Sequence, residues 1–548
     1  MSYRKLASFF TRREFINRMT ALTSAAWGVW HSRAVGAAEN PKPPKTAGAF
    51  ARGLGAKQQE IVNVRDFGAV GDGATDDTAA IQAAFTTAQN TGRALYVQAG
   101  TYRITNTINV SGSGLVMTVF GEGNSSVFQD NVTGGSCFNI TTPFLSCLWS
   151  RLSINVNVNK PTFHSIYVTG ALYSYYERVT FEGAGFIMRT HIRFDSSQEV
   201  TFVACNWRNI NGVGIDSRND ASNGGNFTFI GGTFYSSRCG AVISGEMTNN
   251  NNCFFGTKFV LAEDTDHKQI SISGGTAGST SVTLGSGFTI PANSMMFLGN
   301  CTDAEVVLIS SYNSGTGVAT LATPLRFTYT TAVEVIVGDL GVVSMNLSPN
   351  LVCNGCHFEA CSSVICSSPT FSFSSCMFSF AQTNRLSSND AHSVYVLGAK
   401  TCGGSFLANY GAGNRADHKL FRFINATGSG NVFGNINVGP SVWGSDGSVF
   451  TLIDPVTADA NISYFLPGAI REWEGANNRM GQATLSSGTV TVANTSVTAN
   501  TRIFVAHATL GGTPGHLTTT LIADTSFTIN SSSGGDTSVV NWMLVEPA

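Results

Sequence analysis

The sequence predicts an all-β fold, a right-handed parallel β-helix, and three observations carry that prediction. Only 12% of the 548 residues are charged, Gly alone supplies 59 of them, and Ser, Thr and Asn run throughout. That is a composition of strands and turns, short of helix formers. An aromatic or cysteine is followed five positions later by an aromatic in Phe181 with Phe186, Phe202 with Trp207, Phe229 with Phe234, Phe254 with Phe259, Cys353 with Phe358, and Phe373 with Phe378. Within each uninterrupted run the pairs advance by 20 to 27 residues, which fits one coil of a solenoid. The chain is also longer than one compact core supports; stacked coils avoid this, because like side chains ladder about 4.8 Å apart into one continuous core. The pairs place Phe186, Trp207, Phe234 and Phe259 in one stacked column.

Residues 1–60 read as an export-signal-like or attachment segment and a linker. Thr11-Arg12-Arg13-Glu14-Phe15-Ile16 resembles a twin-arginine export signal, followed by the apolar stretch Met19–Trp30 and small residues up to Ala38, where cleavage is expected. The apolar stretch is too short for a permanent membrane anchor. His31 and Arg33 interrupt it, so the second reading is a segment that docks the protein on a larger assembly such as a phage tail or baseplate. Pro41, Pro43 and Pro44 with Gly48, Gly53 and Gly55 make a linker.

Ile61-Val62-Asn63-Val64 is a short strand, and Arg65–Gly73 a glycine turn. Asp76 and Asp77 then cap a helix with apolar positions Ala80, Ile81, Ala84, Phe85 and Ala88, stopped by Gly92. Leu95-Tyr96-Val97 and Gly100-Thr101-Tyr102-Arg103-Ile104 resume strand structure. The string V-x-D-F-G-A-x-G-D-G-x-x-D-D, a helix and a G-x-Y strand closely resembles the opening of the pectate-lyase-like superfamily, of the phage tailspike and polysaccharide-depolymerase type. The resemblance implies a helix capping the first coil of a β-helix over 61–470, with structural roles for Asp72, Asp76 and Asp77. Residues 270–341 break the repeat with short alternating strands and read as a small β insertion, an element that tends to line a solenoid's binding face. From 481 to 548 the Thr- and Val-rich alternation resembles the C-terminal β domain of tail fibres. That resemblance implies a homotrimer, since a shared cap would cover the open sheet edge. His516 is a turn residue.

Lys and Arg total 32 against 34 Asp and Glu, with no basic run after the first few dozen residues, which excludes nucleic acid as partner. Cys353 and Cys356, with Cys361, Cys366 and Cys376 following, have the spacing of a zinc site. The repeat argues instead for stacked buried thiols, because Cys205, Cys356 and Cys376 each stand two residues before a repeat aromatic. No cofactor is expected; calcium enters only if the protein is a lyase.

The resemblance implies acidic residues on the outer surface of successive coils. Asp195 follows Phe181, and Asp216 follows Phe202, by the same 14 residues, so the two are expected as stacked neighbours, with Glu246 near the same corner one coil on. Adjacent carboxylates resist ionising together and would divide into acid and base. Asp195 and Glu246, two coils apart, approach the gap of roughly 6.5 to 9.5 Å that admits a water in inverting glycosidases. Arg193 and Arg218 flank the group as partners for an acidic sugar, and Trp207 is a substrate-binding candidate. Glu263, Asp264 and Asp266, with His267, stand at the mouth of the insertion as a further binding cluster, a calcium site or a solvated loop. The competing reading makes Asp195 and Asp216 ordinary turn residues. Glu359 belongs to a segment Cys356-His357-Phe358-Glu359 that resembles tailspike repeats, which implies a structural role for it. Lys is scarce among the regular coils, which favours an endo-acting polysaccharide hydrolase over a lyase; a non-catalytic glycan-binding fibre or adhesin is the alternative of a different class.

Overall fold

The computed structural model describes residues 61–545, apart from loop segments such as 112–115, 142–145, 219–224, 245–250 and 262–267 and most connections within 381–478. The signal-like and linker segment, Arg218's side chain, Glu246, Glu263, Asp264, Asp266 and His267 lie outside the described residues.

Three parallel sheets run the length of the described helix. Sheet 1 runs from Ile61–Asn63 to Ala460–Tyr464, sheet 2 from Asp72–Asp76 to Val442–Trp443, and sheet 3 from Ile108–Ser111 to Ile453–Pro455. Each coil contributes one strand to each sheet, and strands of successive coils pair in parallel. The corner between sheets 1 and 2 is a tight turn. Its first residue is left-handed in coil after coil, at Arg151, Arg178, Ala204, Gly231, Gly256, Gly355 and Ser375. The next residue then turns inward, which is where the cysteines fall. Cys205, Cys356 and Cys376 are buried, and their thiols donate to the carbonyls of Tyr176, Phe254 and Cys353 at 3.3–3.4 Å.

Two columns of side chains fill the interior. Tyr176, Phe202, Phe229 and Phe254 descend sheet 1, and Phe181, Trp207, Phe234, Phe259, Phe358 and Phe378 descend sheet 2. In the second column the rings lie 4.3–5.1 Å apart and within 17° of parallel. Phe186 is not in this column, contrary to the sequence expectation. The pair of its coil is Tyr176 with Phe181, five apart like the others, and Phe186 packs half-buried at the margin of the core.

Opposite the second column, sheet 3 presents almost no side chain. Gly214, Gly240 and Gly341 occupy successive coils there, and a Cβ on Gly240 would lie 2.8 Å from the Phe259 ring and 2.5 Å from the Gly341 carbonyl. Gly240→Ala is expected to cost about 1–3 kcal/mol through overpacking. Urea denaturation checks this, and an unchanged midpoint would refute the glycine's packing role. One coil earlier the position holds His191, buried edge-on to Phe181 at 5.3 Å, where burial pushes its imidazole down to about 3. Beside it lies a fully buried ion pair in which Lys160 Nζ donates to both Asp130 oxygens at 2.6–2.7 Å, while Ser165 Oγ and the Val132 amide donate to the same carboxylate.

The helix Thr78–Thr91 buries Ile81, Ala84, Phe85 and Ala88 against the first coils, with Phe85 5.7 Å from the Phe138 ring. Asp77 does not cap it through its side chain. Its oxygens accept the Val70 and Gly71 amides and hold the glycine turn closed, while Asp76 accepts from Thr78. No helix among the described residues is long and apolar enough to cross a membrane.

The insertion is a six-stranded antiparallel sheet from Lys268–Ile272 to Val333–Val337. It lies on the outer face of sheet 3, where its Met295, Phe297, Val306 and Ile336 pack against Val213, Val242 and Val343 of the coils. The C-terminal unit consists of two three-stranded antiparallel sheets, Met480–Thr484 with Val539–Val545 and Arg502–Thr509, and Thr489–Ala493 with Ser526–Ser531 and Leu517–Ile522. Phe527, Ile529, Val540 and Trp542 form its core. Asp536 ties its turns together by accepting from Ser531 Oγ and the amides of Gly515 and Ser538, bonds that hold its carboxyl far below the usual range.

Candidate functional site

The outer face of sheet 3 divides into an open half and a roofed half. Strand alternation turns Asn109, Asn139, Tyr167, Arg193 and Asp216 outward in one row, with Val242 and Val343 continuing it. A second row holds Ser111, Thr141, Thr169 and Asp195. The insertion packs on the first row at Val242 and Val343, whereas Asn109 is exposed and Asn139 and Tyr167 are half-buried on the earlier coils.

Asp195 stands at the edge of the open half, with 22% of its side chain exposed. Arg193 donates to its Oδ1 through Nε at 2.9 Å and Nη2 at 2.8 Å, and the Tyr167 hydroxyl donates to Oδ2 at 2.6 Å. Burial and the Asp195 hydrogen bond both push the Tyr167 phenol up, so it keeps its proton and acts as a donor. Tyr167 escaped the sequence reading. The signal available was its outward place in the alternation Ile166-Tyr167-Val168, one coil before Arg193.

Three sequence expectations are corrected. Asp216 pairs in register with Arg193, not with Asp195, because the equal spacing was counted from aromatics of two different columns: Phe181 pairs with Trp207 in sheet 2, and Phe202 with Tyr176 in sheet 1. Asp216 is also fully buried, in register with Val242, which packs against the insertion, and its carboxylate lies 3.8 Å from Arg193 Nη1, so it is no part of an open carboxylate row. Trp207 is 1% exposed inside the second aromatic column and has no surface to offer a sugar. Arg193 itself is buried and bridges both aspartates, so its work is to orient Asp195. Arg218 lies in register with Ser244 at the end of its strand.

Where the insertion meets the helix, Pro161, Arg189, Thr323, Pro324 and Arg326 line a shallow cleft on the strand that carries Asp195 and the strand before it. Glu305 also faces it, but its carboxylate accepts from the Arg326 and Phe327 amides and the Tyr329 hydroxyl, which makes it structural. Among the described residues, no group of three or more His, Cys, Asp or Glu is placed to hold a metal ion.

Residues 61–278 match the family model described as rhamnogalacturonase A/epimerase, pectate lyase-like. They are a pectate-lyase-like domain. Residues 477–545 match the model of the C-terminal domain of K1 capsule-specific polysaccharide lyase. A glucan 1,3-beta-glucosidase of Cochliobolus carbonum is 40% identical over 86 residues, a segment that spans 15% of this chain and only 11% of that protein. Among solved structures, a tailspike protein of E. coli bacteriophage HK620 aligns over 92% of this chain and 96% of its own at 10% identity, with a TM-score of 0.47. Tailspike protein 2 of Escherichia coli O157:H7 bacteriophage CAB120 aligns over 89% and 68% at 12% identity, with a TM-score of 0.44.

Proposed function

We propose that the protein binds and cleaves an extracellular polysaccharide as an endo-acting glycoside hydrolase, with the sugar chain lying across the open half of sheet 3 against the wall of the insertion. The observation that carries this reading is Asp195, a carboxylate with three donors holding its orientation and a solvent-facing edge on an otherwise hydroxyl- and amide-lined surface. Such a group serves as base or nucleophile in glycoside hydrolysis, and Tyr167 and Arg193 fix its direction. Thr169, Thr141 and Asn139 offer hydroxyl and amide partners to a sugar. Glu246 remains the proposed second carboxylate, two coils on. Glu263, Asp264 and Asp266 remain proposed binding residues at the mouth of the insertion, and Arg218 a proposed contact for an acidic sugar.

The test is release of new reducing ends from a panel of laminarin, alginate and purified bacterial capsular polysaccharides, with absorbance at the unsaturated-uronate band read in parallel. Reducing ends without that absorbance support hydrolysis; neither signal from any polymer refutes the enzyme and leaves a glycan-binding fibre. A lyase is the second reading, favoured by the match of residues 477–545 to a domain of a capsule-specific lyase. Calcium would then be the acidifying ion, and the absorbance would appear and be lost with chelator.

The same reading places the protein outside the cell or on a virion and makes it a homotrimer joined through its C-terminal unit. Phe504, Leu510 and Ile522 there are 55%, 68% and 64% exposed, and Phe504 lies on an edge strand, the kind of surface a partner covers. Light scattering of the full chain is expected to give about three times 57.8 kDa, and Phe504→Asp to shift it toward the monomer. A monomeric wild type would refute the trimer.

A further inference from the structure

The outer face of sheet 2 carries a strip that neither the core nor the site on sheet 3 explains. Its strands are only three residues long from Thr180–Glu182 through His357–Glu359, with the aromatic of each turned inward. The two flanking positions of each strand therefore face out and stack from coil to coil. One row reads Glu182, Arg208, Tyr235, Val260, Glu359, and the other Thr180, Asn206, Thr233, Lys258, His357, of which Thr180 is buried with its hydroxyl on Asn124. Four strand spacings make the strip about 19 Å long.

The chemistry is that of a flat polar surface with one ring in its middle. Tyr235 is 47% exposed, with Arg208 on the neighbouring strand 49% exposed and Lys258 exposed on the other side. Arg208 lies 3.7 Å from Glu182, which Asn209 also bonds at 2.8 Å, so its guanidinium stays over the strip. At the far end His357 Nε2 lies 3.0 Å from Ser379 Oγ and 3.6 Å from Glu359; burial pushes the imidazole down, leaving it a hydrogen-bonding partner at neutral pH. A protein partner would look for a desolvated apolar centre, and here Tyr235 and Val260 stand among charged and hydroxyl groups. A nucleic acid would meet Glu182 and Glu359 in the same row. A chain of sugar rings suits both features, with a ring face to lie on Tyr235 and hydroxyls to pair with the donors and acceptors of the flanking side chains, such as Arg208, Thr233 and Lys258.

We propose that this strip is a second, non-catalytic binding site for a hydroxyl-rich polysaccharide chain, with Tyr235 as its stacking platform and Arg208 and Lys258 as its flanking donors. It rests on the reading of the protein as polysaccharide-active and adds a surface that holds the polymer away from Asp195. The test is electrophoresis of the full chain through native gels cast with laminarin, alginate or a bacterial capsular polysaccharide, comparing wild type, Tyr235→Ala, Tyr235→Phe, Arg208→Ala and Asp195→Asn. The wild type is expected to be retarded by at least one polymer. Tyr235→Ala should then lose about tenfold in apparent affinity and Arg208→Ala a similar amount, while Tyr235→Phe keeps its ring and its retardation. On a polymer the protein cleaves, the Tyr235→Ala loss should fall on KM. Tyr235→Ala and Arg208→Ala retarded like wild type would overturn the strip even if Asp195→Asn abolishes cleavage. Retardation lost in Tyr235→Ala with no polymer cleaved would support the strip and overturn the hydrolase. A wild type that none of the three polymers retards would also overturn the strip.

Discussion

Lys160→Met is expected to cost about 3–5 kcal/mol, because it leaves the Asp130 carboxylate alone in a site where both side chains are fully buried. Ser165 and the Val132 amide still donate to that carboxylate, but neither carries charge. Burial already raises the Asp130 carboxyl above its ordinary value with the ammonium in place. Without Lys160 the rise must be larger. A carboxyl whose folded pKa lies above its unfolded one binds its proton more tightly in the folded state, so the deficit of the variant should shrink as pH falls and be greatest at neutral pH. The double variant Asp130→Asn with Lys160→Met removes both charges and is expected to recover part of the loss. Urea denaturation at pH 5 and pH 7 checks all three statements; a Lys160→Met midpoint equal to wild type at pH 7 would mean that the pair contributes nothing.

Asp195→Asn and Asp216→Asn are expected to separate activity from stability. Asp195 has an exposed edge, and the amide keeps its shape and one acceptor for Arg193, so the fold should hold with a loss of about 1–2 kcal/mol from the weakened charged bonds. Cleavage should fall about a hundredfold or more, since an amide serves neither as base nor as nucleophile. Asp216 behaves in the opposite way. It is fully buried, 3.8 Å from Arg193, and its loss as a charge should cost about 3 kcal/mol while Asp195 retains all three of its donors and most of its activity. Reducing-end assays and denaturation midpoints on the same preparations provide the check. Equal loss of activity in both variants with equal stability would place the chemistry elsewhere, with the cleft at Arg189 and Arg326 next in line.

Much of the fold was legible because a β-helix writes its core into a short repeat. An inward side chain recurs at one place in every coil, so the spacing of Phe202, Phe229 and Phe254 reports the coil length, and the cysteine two residues before Trp207, Phe358 and Phe378 reports the corner. The opening motif, the helix after Asp77 and the break at the insertion were likewise local signals, carried by neighbouring residues. The site was legible only to the level of which residues face outward. Counting residues from an aromatic assumes that the aromatics belong to one column, and Phe181 and Phe202 do not: Phe181 pairs with Trp207 in sheet 2 and Phe202 with Tyr176 in sheet 1. A shift of one or two residues changes which side chains become neighbours, so Arg193 and not Asp195 meets Asp216. Nothing in the repeat records that residues 268–337 fold back over the outer face of sheet 3, because that packing joins segments far apart in the chain through apolar surface that each would otherwise expose. The sequence by itself determined the coils, their inward columns and the outward place of Asp195; the tertiary structure decided which carboxylate meets solvent, since burial is a property of what packs above a residue and not of the residue's own position in the repeat.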